Sequence, residues 1–356
     1  MDSAAASTGV WRTIGHDKAV SIAKRGLAQR RLSHAYLIAG PRHVGKMTLA
    51  IDLAMALCCT EEHRPCGACA QCSRVARGLH ADVRVVGIDG GETESGRSRV
   101  LIGIDQVRQI QREASLTPFE GSHRVIIFDG AERLSEEAAN SLLKFLEEPP
   151  DQVVLLLLTS DSGALPPTVV SRCQLLELRS VPAQVIARDL ADRYGLDSAR
   201  ADEIARLSEG RPGWALRAAE DDEVLAGLSR TLDVIEDVVG GTLERRFAYA
   251  AGLASAFDRD RDSVREELEI WMAWWRSVLL VKEGVPEFVT HPSRLGSLEQ
   301  VAASLTGAQA AHAIEAIDEA VRHLERNVSP RLALEDLMLV LPRPGAASID
   351  GATGRR

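Results

Sequence analysis

Three groups of residues in this sequence have types and spacings suited to chemistry. The first is Gly40-Pro-Arg-His-Val-Gly45-Lys46, which has the glycine and lysine spacing of a loop that grips phosphate. Backbone N–H groups of such a loop, with the positive end of a following helix, form a nest for phosphate oxygens, and Lys46 adds a point charge at the outer ones. The second group is Cys59, Cys66, Cys69 and Cys72 in "CTEEHRPCGACAQC". Tetrahedral zinc accepts four thiolates, and a closed set leaves no position for water, so such a site is structural. Cys58 adjoins Cys59 and is the alternative first ligand, though the local "ALCC" pattern favours Cys59; His63 is a weaker candidate. Two-residue gaps also suit an iron–sulfur cluster. The third group is Ser171-Arg172-Cys173, after a loop with Pro166 and Pro167. An arginine at a domain edge can offer its planar, permanently charged fork to a phosphoryl group held by a neighbouring chain. It can equally pair with a carboxylate of its own chain or cap a helix.

The phosphate loop lacks parts that nucleotide hydrolysis needs. Magnesium takes hard oxygen ligands, and the position after Lys46 carries the thioether of Met47. Thr48 comes one residue late, about 100° further round a helix. In "VIIFDGAERL" Asp129 can orient a metal, but Gly130 stands where a water-activating carboxylate belongs, and Glu132 lies two residues beyond it. Both losses point the same way. The chain can hold ATP or ADP, has no sound magnesium geometry, and is expected not to hydrolyse ATP at a useful rate.

These residues must be positioned by alternating elements. "AYLIAG", "VRVVGI", "HRVIIFDG", "VVLLLLTS" and "QLLELRS" are short, nearly continuous apolar runs, the pattern of strands buried on both faces of a parallel sheet. Between them lie "KMTLAIDLAMALC", "GIDQVRQIQREASL" with Asp105 placed to cap its start, and "SEEAANSLLKFLEE", capped by Ser135 and stopped by Pro149 and Pro150. After about Pro182 the pattern is helical throughout. Trp274 and Trp275 sit on a long helix, where packing in a core or at a subunit interface outweighs stacking on DNA. "GIDGGETESGRSRV" has the composition of a mobile loop.

The 356 residues suffice for two or three domains, with 45% hydrophobic and 26% charged residues as in ordinary globular proteins. No run approaches a membrane span, and the first residues lack the basic and apolar regions of a signal peptide, so a cytoplasmic location is expected. A net charge of −9 argues against strong independent nucleic-acid binding.

The runs "HAYLIAGPRHVGKMTLA", "VIIFDGAERLSEEAANSLLKFLEEPP" and "LPPTVVSRCQLLEL", with the cysteine cluster, resemble the bacterial DNA polymerase III clamp-loader family of AAA+ ATPases. The resemblance covers about Ile14 to Leu178 by motif and the remainder by helical layout. It implies an α/β AAA+ P-loop core over 1–180 with a zinc module at 59–72, a small helical lid at 181–221, an all-α collar at 222–343 and a disordered tail at 344–356. Nucleotide would then be held by Gly40, Gly45, Lys46, Thr48, Asp129 and the sensor Thr159, with His16 towards the adenine. Arg172 would be a finger acting in trans. A second sensor arginine belongs in "EGRPGWALR", where Arg211 and Arg217 are near but out of place. The implied partners are gamma/tau and delta subunits in a hetero-pentamer and, through it, the sliding clamp and primer-template DNA. Met47 and Gly130 favour the family's stator, whose own ATP site is usually degraded, as does the lack of a long C-terminal extension. A gamma/tau-type motor is the alternative.

Overall fold

The structure, a computed structural model, describes residues 9–29, 31–88, 101–326 and 328–344. Most of "GIDGGETESGRSRV" and of the C-terminal tail therefore lies outside the described residues. The chain divides into two compact units, Met1–Ala219 and Glu220–Arg356.

The first unit is built on a five-stranded sheet of β1 (Ala35–Ala39), β2 (Val83–Val86), β3 (Arg124–Asp129), β4 (Val153–Thr159) and β5 (Gln174–Glu177). Its order is β2-β3-β4-β1-β5, and every neighbouring pair is parallel. The apolar runs carry no alternation because both faces are covered. In β1 and β4, Tyr36, Ile38, Val154, Leu156 and Leu158 enter one core, while Leu37, Val153, Leu155 and Leu157 enter the other. The first core is closed by α1 (Asp17–Ala28), α2 (Lys46–Cys58) and α3 (Ala70–Ala76). The second is closed by α4 (Ile104–Ala114), α5 (Glu136–Glu147) and the single turn α6 (Pro167–Val170). Truncating a central leucine such as Leu156 to alanine should cost about 2–5 kcal/mol.

Ser135 caps α5, accepting from the Ala138 N–H at 3.1 Å. The expected cap of α4 is corrected: the helix starts one residue before Asp105, and Gln106 accepts from the Gly103 N–H at 3.0 Å. Asp105 sits in the first turn, where its charge complements the helix dipole. Helices α7 (Ala183–Tyr194), α8 (Ser198–Leu207) and α9 (Pro212–Glu220) follow β5.

The second unit holds α10 (Asp222–Gly240), α11 (Leu243–Phe257), α12 (Arg261–Lys282), α13 (Leu295–Ala303), α14 (Gly307–Glu325) and α15 (Pro330–Val340). Trp271, Trp274 and Trp275 of α12 are fully buried in its core, and the last two meet edge to face at 5.1 Å. They therefore lie inside this unit, and the interface role is set aside. Arg246 of α11 is also fully buried. It donates to the carbonyls of Val238, Val239, Met338, Leu341 and Pro342, at the C-terminal ends of α10 and α15. These carbonyls belong to the last turns of the two helices and the residues just beyond them, where the negative helix ends favour a cation; Val238 also accepts from the Gly241 N–H at 3.2 Å.

Candidate functional site

The carboxyl edge of the sheet gathers the phosphate loop, Asp129 and Thr159. Ala39 is level with Thr159, and Asp129 with Leu158, so β1, β3 and β4 end side by side. Gly40 leaves β1 with its N–H on the Thr159 carbonyl at 3.1 Å. A Cβ at Gly40 would stand 2.4 Å from the Leu178 carbonyl oxygen, so only glycine fits. Gly45 is the residue before α2, and Lys46 opens it. The Lys46 ammonium donates to the Gly40 and Pro41 carbonyls at 2.7 and 2.8 Å and to the Ser160 hydroxyl at 3.3 Å.

Met47 packs against the apolar core beneath the loop. The missing hydroxyl is thus replaced by a side chain that contributes to packing. Gly130 has φ of +80°, in the left-handed region that side-chain-bearing residues disfavour. An acid there would need a different local backbone. Burial raises the Asp129 carboxyl above its ordinary range, opposed by Lys46 and reinforced by Glu132. Glu132 therefore shares the site, as its Oε1 accepts weakly from the Ser160 N–H at 3.4 Å.

Thr159 turns away from the loop: its hydroxyl donates to the Asp161 carbonyl at 2.8 Å. The hydroxyl beside Lys46 belongs to Ser160, the neighbour of the expected Thr159; strand alternation, which sends neighbours to opposite faces, is the signal that points to it. Arg217, out of place in the sequence pattern, comes to the phosphate loop in the fold. The Gly213 N–H donates to the His43 carbonyl at 2.7 Å, and one helical turn on, Arg217 Nη2 lies 3.2 Å from His43 Nε2. Arg217 is thus at the phosphate loop. His16 is buried, with Nε2 2.9 Å from the Val44 carbonyl. The segment before it is pinned by buried Asp52 of α2, which accepts from the Arg12 and Thr13 N–H groups and the Thr13 hydroxyl at 2.8–2.9 Å and from Arg12 Nε at 3.0 Å.

At the other end of α2 the sulfurs of Cys59, Cys66, Cys69 and Cys72 all lie within 4.8 Å of one another. Cys59 and Cys69 are 4.0 Å apart and Cys66 and Cys72 3.9 Å, near the ~3.8 Å edge of a tetrahedron with metal–sulfur bonds of ~2.3 Å. The segment is partly helical, since Cys69 caps α3 and Cys72 lies within it. Cys58 stays outside the group of converging sulfurs; burial, reinforced by Asp82, Glu120 and Cys59, pushes its thiol up to about 12. Cys173 is partly buried.

Arg172 lies after α6 with its side chain about one-third exposed. It pairs with Glu147 of α5 at 2.5 Å and donates to the Thr168 carbonyl at 3.0 Å.

A parallel sheet in this order, with the glycine and lysine loop at the carboxyl end of β1, gives the first unit an α/β P-loop architecture, and the similarity of the chain is to clamp-loader subunits. Residues 15–182 match the family described as DNA polymerase III, delta subunit. The chain is similar to DNA polymerase III subunit delta prime of Bacillus subtilis, at 29% identity over 87% of this chain and 91% of that one. It is 33% identical to subunit tau of the same organism over 49% of this chain, spanning only 29% of that relative. A solved gamma-subunit-related protein of Thermotoga maritima matches 91% of this chain and 98% of its own with a TM-score of 0.45 at 18% identity. Among the described residues no helix is long and apolar enough to cross a membrane.

Proposed function

We propose that this chain is a delta-prime-type stator of the bacterial replicative clamp loader. One observation carries the reading. The chain is similar to a delta-prime subunit over nearly all of both lengths, yet has Met47 at the metal hydroxyl and Gly130 at the base position. In this reading it joins gamma/tau and delta subunits in a hetero-pentamer that places the sliding clamp on primed DNA in the cytoplasm. Residues 1–180 are the core, 181–221 the lid and 222–343 the collar.

The loop from Gly40 to Lys46, with Thr48, Asp129, Ser160 and Arg217 around it, cradles ATP or ADP without productive magnesium. Support for this comes from the backbone nest and the two cations facing it. Zinc is the metal assigned to Cys59, Cys66, Cys69 and Cys72. The support is a closed four-thiolate set at tetrahedral spacing, which gives folding rather than reactivity. Arg172 reaches the triphosphate of a neighbouring gamma/tau subunit, where a finger of this kind is worth about 10³–10⁵ in rate at the site it serves.

Arg172→Ala in the reconstituted complex should leave assembly intact and lower ATP hydrolysis; unchanged turnover refutes the finger. The higher identity to tau supports a second reading, an autonomous motor. Brisk magnesium-dependent turnover by the isolated chain would establish that one instead.

A further inference from the structure

Glu147 is the last residue of α5, where a carboxylate faces the negative end of the helix dipole and gains from a cation. Arg172 supplies it, bridging from the turn after α6 to the end of α5 at 2.5 Å. Both partners are accessible, with side-chain exposures of 36% for Arg172 and 51% for Glu147. The pair is therefore held in place yet open to exchange. A carboxylate and a phosphate present similar oxygens to a guanidinium, and an exposed ion pair is weak enough to be displaced.

We propose that Glu147 is the counter-anion of Arg172. It holds the fork on this chain's own surface, and a neighbour's triphosphate takes the fork by displacing that carboxylate. This rests on the reading of Arg172 as a residue acting in trans. Glu147 is then a positioning residue that touches no nucleotide. It keeps the finger folded back between encounters and sets how readily the finger engages. The exchange makes and breaks no covalent bond, and Glu147 is left in solvent when the fork departs.

The test uses complexes reconstituted with the unaltered chain, E147Q, R172A and the double variant R172A/E147Q, with ATP as probe. E147Q keeps the shape of the side chain and removes its charge. It should lower KM for ATP and raise kcat/KM by up to about fivefold, the most an exposed pair is worth. In the R172A background E147Q should change nothing, because no fork remains to release. An unchanged KM in E147Q, or an equal change with and without Arg172, overturns the counter-anion role while R172A still lowers turnover. If R172A itself leaves turnover unchanged, the trans reading fails and the counter-anion role falls with it.

Discussion

The cysteine cluster and the phosphate loop stand at opposite ends of α2, and only one of them is complete. All four sulfurs converge after the end of the helix. At its start the glycines and lysine of the loop are present, with Lys46 folded onto the Gly40 and Pro41 carbonyls, while Met47 and Gly130 stand at the positions of a metal hydroxyl and a base. The cluster comes from fourteen consecutive residues, and in the proposed zinc reading its local fold and its ligands would stand or fall together. The proposed phosphate site draws on β1, β3, β4 and α9, so a side chain at one of these positions can change without disturbing the others. Met47 shows how: the change that removes a magnesium ligand adds an apolar side chain to the core.

The greatest expected effect follows from breaking the cluster. Cys66→Ser with Cys69→Ser should abolish bound zinc, measured by metal analysis, and lower the melting temperature by about 10 °C or more. Equal melting with no metal in the unaltered protein would remove the contrast. At the other end of the helix, Lys46→Ala should weaken ADP binding in calorimetry at least about tenfold, since it removes a cation from the cradle. Its unfolding free energy should change by less than about 1 kcal/mol, because the amine sits on partly exposed carbonyls.

Partial repair should sharpen the comparison further. Met47→Thr with Gly130→Glu should leave the isolated chain without measurable turnover and cost about 1–2 kcal/mol in denaturant unfolding, because φ of +80° strains any side-chain-bearing residue. Strong turnover by that variant would mean that two substitutions suffice to rebuild the site.

The smallest effect is on pH dependence. Burial lowers the pKa of His16 at the phosphate loop, and of His80 and His123 nearer the cysteines, below the ordinary 6.5. The unfolded chain then binds more protons in that window, so stability is full above about 6.5 and falls as pH drops below it. Unfolding in denaturant at pH 5.5 rather than 7.5 should show a loss of about 1–3 kcal/mol. Asp129 and Asp189, raised by burial, act in the opposite sense nearer the carboxylate range.

Much of the fold was legible. Five apolar runs became five parallel strands, and Ser135 caps its helix as its position suggests. Where the sequence misled, the cause was geometry within an element. Asp105 lies one residue inside its helix rather than before it. Thr159 and Ser160 were separable only by which face each side chain takes at the end of β4. Helix α3 was hidden because glycine and cysteine spacing in its neighbourhood resembles that of an irregular loop.

Composition and spacing by themselves determined the P-loop, the four-thiol set, the absence of a hydroxyl and a base, and the alternation of strand and helix. Those properties are local, because a helix, a strand or a ligand spacing is written within a dozen or so residues. Only tertiary packing decided that Arg217 reaches His43 and that Arg172 rests on Glu147. Each of these depends on where a distant segment or a helix end comes to rest, and that is fixed by burial of the apolar faces that carry it.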